Sequence, residues 1–219
     1  MNDIKSYREK ELKMYIIACI FVLICITQDF SLDKAEVDLM INISKVLNTV
    51  LASSSIFIFV FISDSLFSSD IKQKIVTLFG IIKMPGNVIF DQIKDKCKDD
   101  RFTKEEVMIV YKNIYDDMPS DKKESNKYQN SKWYKIYSKH RDVSIVFISN
   151  RDYLLCRDMV FATIMLSFLY LIGTALDLFD FSITYLGFLG IMIVINIYAT
   201  HLKARRFAYN VIAYDISHQ

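Results

Sequence analysis

The side chains able to do chemistry are three histidines, four cysteines and one acidic run. His140, His201 and His218 stand far apart in sequence. Cys19, Cys25, Cys97 and Cys156 include no C-x-x-C pair, so neither a zinc site nor a redox dithiol is predicted. Asp95, Asp99, Asp100, Glu105 and Glu106 are dense enough to suggest calcium. The EF-hand spacing with its mid-loop glycine is missing, however, and a solvated charged turn is the better reading. No Walker, dinucleotide-binding, zinc-protease or nucleophile-elbow motif occurs, and five glycines in 219 residues leave no phosphate-cradling loop. The expectation is a protein that is not an enzyme, with no catalytic residue, metal or cofactor.

A second class of candidates is polar residues inside apolar stretches. Asn48, Ser55 and Asn196 fall within runs that read as membrane spans, and Asn48, Ala52 and Ser55 share the spacing of one helix face. Such groups line a substrate path or hydrogen-bond one helix to another. No acid falls inside a span to couple protons or cations, and no inverted repeat is visible. Helix packing is the leading reading. A small channel or transporter subunit, which would need an oligomer to build a pore, is the alternative.

The elements holding these residues follow from composition. The chain is 53% hydrophobic and 24% charged, with a net charge of +2. It is too apolar for an ordinary soluble domain and too charged to lie wholly in lipid, so the two properties are segregated along it. Met159 to Leu176 carries no charge over 18 residues, which at about 1.5 Å per residue approaches a bilayer core. Phe181 to Thr200 repeats that length after a tight turn, predicting a transmembrane hairpin over 158–202. Met14 to Ile26 is shorter, but snorkelling of Lys13 and the headgroup-level Thr27 and Gln28 extend it to a span from Leu12 to Phe30. No small-residue cleavage site follows, so an uncleaved anchor is expected. Val46 to Ile62 supplies the second helix of the pair in 12–64.

Basic residues orient these spans. Of 27 Lys plus Arg, 18 lie between Ser65 and Arg157, four lie at or before Lys13 and three follow Thr200, while only Lys34 and Lys45 stand elsewhere. The positive-inside rule places residues 1–11, the segment 65–157 and the extension 203–219 in the cytoplasm. The predicted fold class is an all-α membrane protein: four transmembrane helices, two plus two, with a small, mainly α-helical cytoplasmic domain inserted between helices 2 and 3. Disulfides are not expected for Cys97 and Cys156 in that compartment.

Within 65–157, Ile71, Ile75, Leu78, Phe79 and Ile82 form one helical face, predicting a helix over 71–83 that Met84-Pro85-Gly86 ends. It is read either as an interfacial helix, with Lys72, Lys74 and Lys83 on lipid phosphates, or as a domain helix packed on its own core. Asn87 to Cys97 reads as a helix, and Thr103 to Glu106 as a capping box opening a helix over 104–117. Met118 to Ser131 is polar and reads as a loop. In the following helix, Lys132 to His140, Trp133 and Tyr137 share a face. That face could bind nucleic acid by stacking, lie at a membrane or partner surface, or form a small core; the modest basic excess argues against nucleic acid, and the small core is the leading reading. Val143 to Ile148 reads as a strand or buried connector, and helix 3 as starting near Arg151. Arg151, Asp152, Arg157 and Asp158 can pair there, and Arg205 and Arg206 can meet those acids or lipid phosphates.

Pro85-Gly86-x-x-x-Phe90, Trp133-Tyr134-x-x-Tyr137-x-x-His140, Arg151-x-Tyr153-Leu154-Leu155-x-Arg157-Asp158 and Arg205-Arg206-Phe207, in this order of spans and insert, resemble a group of small four-helix membrane proteins. They are those encoded in bacterial anti-phage defence loci, the membrane component of the Kiwa system among them. The resemblance implies a role as a sensor or membrane effector; with four short spans, no enzymatic motif and an aromatic-rich cytoplasmic domain, the expectation is an inner-membrane protein that associates with itself and with a cytosolic partner protein. The resemblance implies no catalytic residue, and direct binding of nucleic acid is not expected.

Overall fold

The computed structural model describes residues 2–27, 54–97, 99–178 and 180–218. Every regular element among them is helical: α1 (Asn2–Thr27), α2 (Ser54–Leu66), α3 (Ser69–Val76), a 3-10 turn (Pro85–Asn87), α4 (Ile89–Asp95), α5 (Lys104–Val110), α6 (Lys112–Asp116), α7 (Lys122–His140), α8 (Ser144–Ala175) and α9 (Ile183–Ile216). Among the described residues, α8 and α9 are each long and apolar enough to cross a membrane. The α2 and α3 helices reach that length only as a pair, bent by 102°. The α1 helix follows the expected first span as far as Thr27. Residues 46–53 of the expected second span, Asn48 among them, lie outside the described residues, as does the acidic connection 29–38.

The chain divides into two compact units, residues 1–75 with 157–197 and residues 76–156 with 198–219. In the first, Ile16, Leu23, Val60, Phe161, Leu166 and Leu189 are fully or almost fully buried. Tyr170 and Tyr185 pack edge to face with ring centres 4.9 Å apart. Outward positions are equally apolar, for Phe21, Phe59, Phe168, Ile191 and Val194 are all exposed, a surface that suits hydrocarbon rather than water. The α8–α9 connection is a Schellman turn. Leu178 N–H donates to Gly173 O at 2.9 Å and Asp177 N–H to Thr174 O at 3.2 Å, while Asp177 takes the left-handed position at φ 55°. The Tyr170 hydroxyl closes it by accepting from Ser182 N–H at 2.8 Å and donating to Asp180 O at 3.0 Å.

The second unit contains most of the expected inserted domain together with the C-terminal extension. Its core gathers Ile89, Phe90 and Ile93 of α4, Val107 of α5, Trp133 and Ile136 of α7, and Phe207 and Ile212 of α9. The α5 helix starts at the predicted capping box: Thr103 Oγ1 accepts from Glu106 N–H at 3.2 Å, and Glu106 Oε2 accepts from Thr103 N–H at 2.7 Å.

Four local expectations are corrected. The helix expected over 71–83 stops at Val76, because Leu78, Phe79 and Gly80 take left-handed φ of 47°, 55° and 95° and reverse the chain. The loop expected over 118–131 is mostly helix. Asp121 caps α7 by accepting from Lys123 and Glu124 N–H at 3.0 and 2.9 Å, and the buried face of its first turns is polar, with Ser125, Asn126 and Gln129. The strand or connector expected over 143–148 is the first turn of α8, which begins at Ser144 rather than near Arg151. The helix expected over 104–117 breaks at Tyr111, whose ring turns into the core.

Candidate functional site

In the first unit, charged residues at the margins of three apolar runs converge. Arg8 precedes the apolar part of α1, Asp64 follows that of α2, and Arg157 and Asp158 precede that of α8; Lys72 of α3 completes the set. Lys72 Nζ donates to Asp64 Oδ1 at 2.6 Å and to Asp64 O at 2.7 Å, and lies 3.7 Å from Asp158 Oδ1. It also sits 5.3 Å from the centre of the Phe161 ring. Arg157 Nη2 and Nε donate to the neighbouring Asp158 Oδ1 at 3.0 and 3.2 Å, while Nη1 donates to Ser69 Oγ of α3 at 2.8 Å. Arg8 Nε lies 2.9 Å from Asp158 Oδ2.

These groups are withdrawn from water, with side-chain exposures of 5% for Lys72, 6% for Arg157 and 1% for Asp158. Buried charges are tolerated when paired, and removing one partner is far more damaging than the pair is stabilising. Beside them is a cavity of about 290 Å³, whose wall includes Arg8, Glu9, Asp64, Lys72, Arg157 and Asp158, with Leu12, Phe61 and Phe67 as its apolar part. The arrangement can lock helices together and can receive a polar ligand that carries both signs of charge.

Deeper in the same unit, Asn196 Nδ2 donates to the Tyr15 hydroxyl at 2.8 Å. The Tyr15 hydroxyl meets Thr163 Oγ1 at 2.7 Å, and Thr163 Oγ1 donates to Met159 O at 2.7 Å. Asn196 is thus placed as a helix-to-helix contact joining α1, α8 and α9. Ser55 is exposed on α2.

The second unit has its own buried polar bridge. Asp215 of α9 accepts the Tyr111 hydroxyl on Oδ2 at 2.5 Å and meets His140 Nε2 on Oδ1 at 2.6 Å. Burial, and next the bond to Asp215, push the Tyr111 phenol far above its ordinary 10.0. On the surface, hydrogen bonds from Arg101 hold the Asp99 carboxyl below its usual range, so the acidic run read as a charged turn includes a local ion pair, 2.6 Å long.

One expected contact residue changes role, and a second takes one of the roles left open for it. Lys72, expected at lipid phosphates, is buried on Asp64 and Asp158, because α3 turns its Lys72 side toward these acids. Of the readings open for Trp133, the structure shows the small core: it stacks on Tyr137 at 5.7 Å, meets Phe207 edge-on at 5.2 Å and donates its indole N–H to Ala208 O at 3.3 Å, so it is not an exposed membrane or partner contact. Lys74, Lys83, Arg205 and Arg206 are exposed, and Tyr137 is half-buried. Arg151 pairs with Asp152 at 2.9 Å, and the α9 partner of Asp152 is Lys203 at 3.0 Å rather than Arg205 or Arg206. Sequence reasoning did not single out Arg8, Asp64, Tyr15, Thr163, Gln129 or Asp215 as site residues. For Arg8 and Asp64 the available signal was a charge at the margin of an apolar run.

Comparison with protein-family models, curated proteins and solved structures found no match.

Proposed function

We propose that the chain is a multi-pass protein of the bacterial inner membrane with four transmembrane helices, both termini cytoplasmic and a helical cytoplasmic domain between the second and third. Acting as a homo-oligomer with a cytosolic partner protein, it senses or executes a membrane event in defence against phage. The observation that carries the membrane part is the convergence of Arg8, Asp64, Arg157 and Asp158 at the margins of three apolar runs. Margins that meet at one cluster give α1, α2 and α8 a common polar end, as spans entering a bilayer from one side require. The defence role rests on the resemblance of the whole chain and on the exposed Arg205 and Arg206, which are available to lipid or a partner.

The experiment is expression together with the neighbouring genes, followed by phage challenge. Plaquing should fall for the wild type and recover for Arg206→Glu at equal membrane abundance. A chain that stays monomeric in mild detergent and gives no protection overturns the reading. The alternative, a channel or transporter subunit, would place Asn196 on a lumen. Its hydrogen bonds within one chain favour packing instead, and ion flux in liposomes abolished by Asn196→Leu would reverse that preference.

A further inference from the structure

The cavity beside the buried charges has a chemical signature of its own. Its wall carries three cations, Arg8, Lys72 and Arg157, and three carboxylates, Glu9, Asp64 and Asp158. A wall balanced in this way disfavours a ligand with net charge and suits one that is dipolar. Two wall groups retain unused capacity. Asp158 Oδ2 is buried and accepts no hydrogen bond, although Arg8 Nε lies 2.9 Å away as an ion pair. Arg8 is 25% exposed with Asp158 as its one ion-pair partner among the described residues, so both terminal nitrogens of its fork remain available.

We propose that this cavity holds the headgroup of a phospholipid bearing a primary ammonium, the phosphoethanolamine class. The Arg8 fork takes the phosphate in the bidentate manner that guanidinium favours. As Arg8 turns to the phosphate, Asp158 Oδ2 is released to accept N–H from the ammonium. The apolar wall at Leu12, Phe61 and Phe67 continues toward the acyl chains. A quaternary choline headgroup fits poorly, since it has no N–H for the carboxylates and would rely on aromatic faces. Those faces are engaged: Lys13 Nζ sits 4.7 Å over Phe61, and Phe67 packs on Phe161 at 5.0 Å. The volume, about 290 Å³, is at the low end for ligand pockets. The inference rests on the membrane reading above, which puts these residues at headgroup depth.

The test is native mass spectrometry of the full-length protein in nanodiscs of equal phosphatidylethanolamine and phosphatidylcholine, counting the lipid that stays bound. About tenfold enrichment of phosphatidylethanolamine is expected, the scale of one charge-assisted hydrogen bond. Lipid of both kinds should be lost from the site in Arg8→Gln, which removes the phosphate clamp, and the enrichment with it; the same is expected in Ser65→Phe, which fills the cavity from an exposed wall position. No enrichment in the wild type, or full enrichment in both variants, overturns the proposal. Displacement of the lipid by soluble glycerophosphoethanolamine reassigns the cavity to a free metabolite and overturns it as well. Flotation with liposomes separates the two readings: a chain that floats without lipid preference sinks only the headgroup site, and one that does not float sinks both.

Discussion

The side-chain carbonyl of Gln129 on α7 accepts the backbone N–H groups of both Phe90 and Asp91, at 3.1 and 3.2 Å. These are among the first N–H groups of α4, which have no acceptor within their own helix. The Gln129 amide nitrogen then donates to Asp91 Oδ2 at 2.7 Å and to Ser125 Oγ at 3.2 Å. One fully buried amide thus stands in for the cap that Val88, at the N-cap position, cannot provide. Gln129→Leu keeps the bulk and strands two donors, so the second unit should lose about 1–3 kcal/mol per stranded donor. Chemical denaturation would measure this, and hydrogen exchange at the Phe90 and Asp91 amides should accelerate first.

Gly86 is held tightly against Trp133. A Cβ there would lie 2.9 Å from Trp133 Cε3 and 3.0 Å from Asn130 Oδ1. Gly86→Ala should therefore displace the indole and destabilise the second unit by about 1–3 kcal/mol. Trp133 is the only tryptophan, so its emission reports the change directly, and an unshifted spectrum with unchanged stability would contradict the packing described.

These two sites show what the sequence hides. The capping box at Thr103 was legible because local hydrogen bonding within four residues decides it. The pairing of Trp133 with Tyr137 was legible from helical spacing. Gln129 was not: its burial depends on α4, 38 residues away, and a polar inward face leaves no hydrophobic period to read. Lys72 misled for a related reason. A lysine on a short amphipathic stretch looks solvated until Asp64 and Asp158 are seen to enclose it. The apolar runs of α8 and α9 needed nothing beyond composition.

The buried phenol of Tyr111 makes the second unit sensitive to alkali. Its folded pKa is raised above the unfolded 10.0 by burial first and Asp215 second. A group shifted upward contributes stability fully below its unfolded pKa and loses it as pH rises beyond that value. The Tyr111 contribution should accordingly be constant through neutral pH and fall away above about pH 10. Tyr111→Phe should weaken that alkaline dependence while costing about 1.5–3 kcal/mol at neutral pH through the lost bond to a carboxylate. Urea titrations at pH 7 and above pH 10 would check both.

Within the charge cluster, Lys72→Met should be severe. It removes the cation between Asp64 and Asp158 and leaves buried carboxylates short of a partner, a loss of about 3–5 kcal/mol. Adding Asp64→Leu should restore part of it. Differential scanning fluorimetry in detergent would rank the three proteins, and a double variant no better than Lys72→Met would show that the pair does not act as a unit.

Topology is accessible to thiol labelling in a cysteine-free background. Ser120 and Asp180 are both exposed, so cysteines there should react without unfolding. Asp180→Cys should label from the periplasmic side of intact cells and Ser120→Cys only after the membrane is opened. The reverse pattern would invert the proposed orientation.

The turn after α3 carries a consequence for whatever surface comes to cover it. Leu78 and Phe79 hold left-handed backbone that bulky residues adopt only at a cost, and Ile82 N–H closes the turn on Thr77 O at 3.0 Å. Phe79 and Ile81 stand 83% and 81% exposed at its tip. Because the backbone is already fixed, covering this tip requires little further loss of chain entropy, so the gain from burying each side chain is retained almost whole. A glycine-rich tip of the same length would grip far more weakly, since it would first have to be ordered.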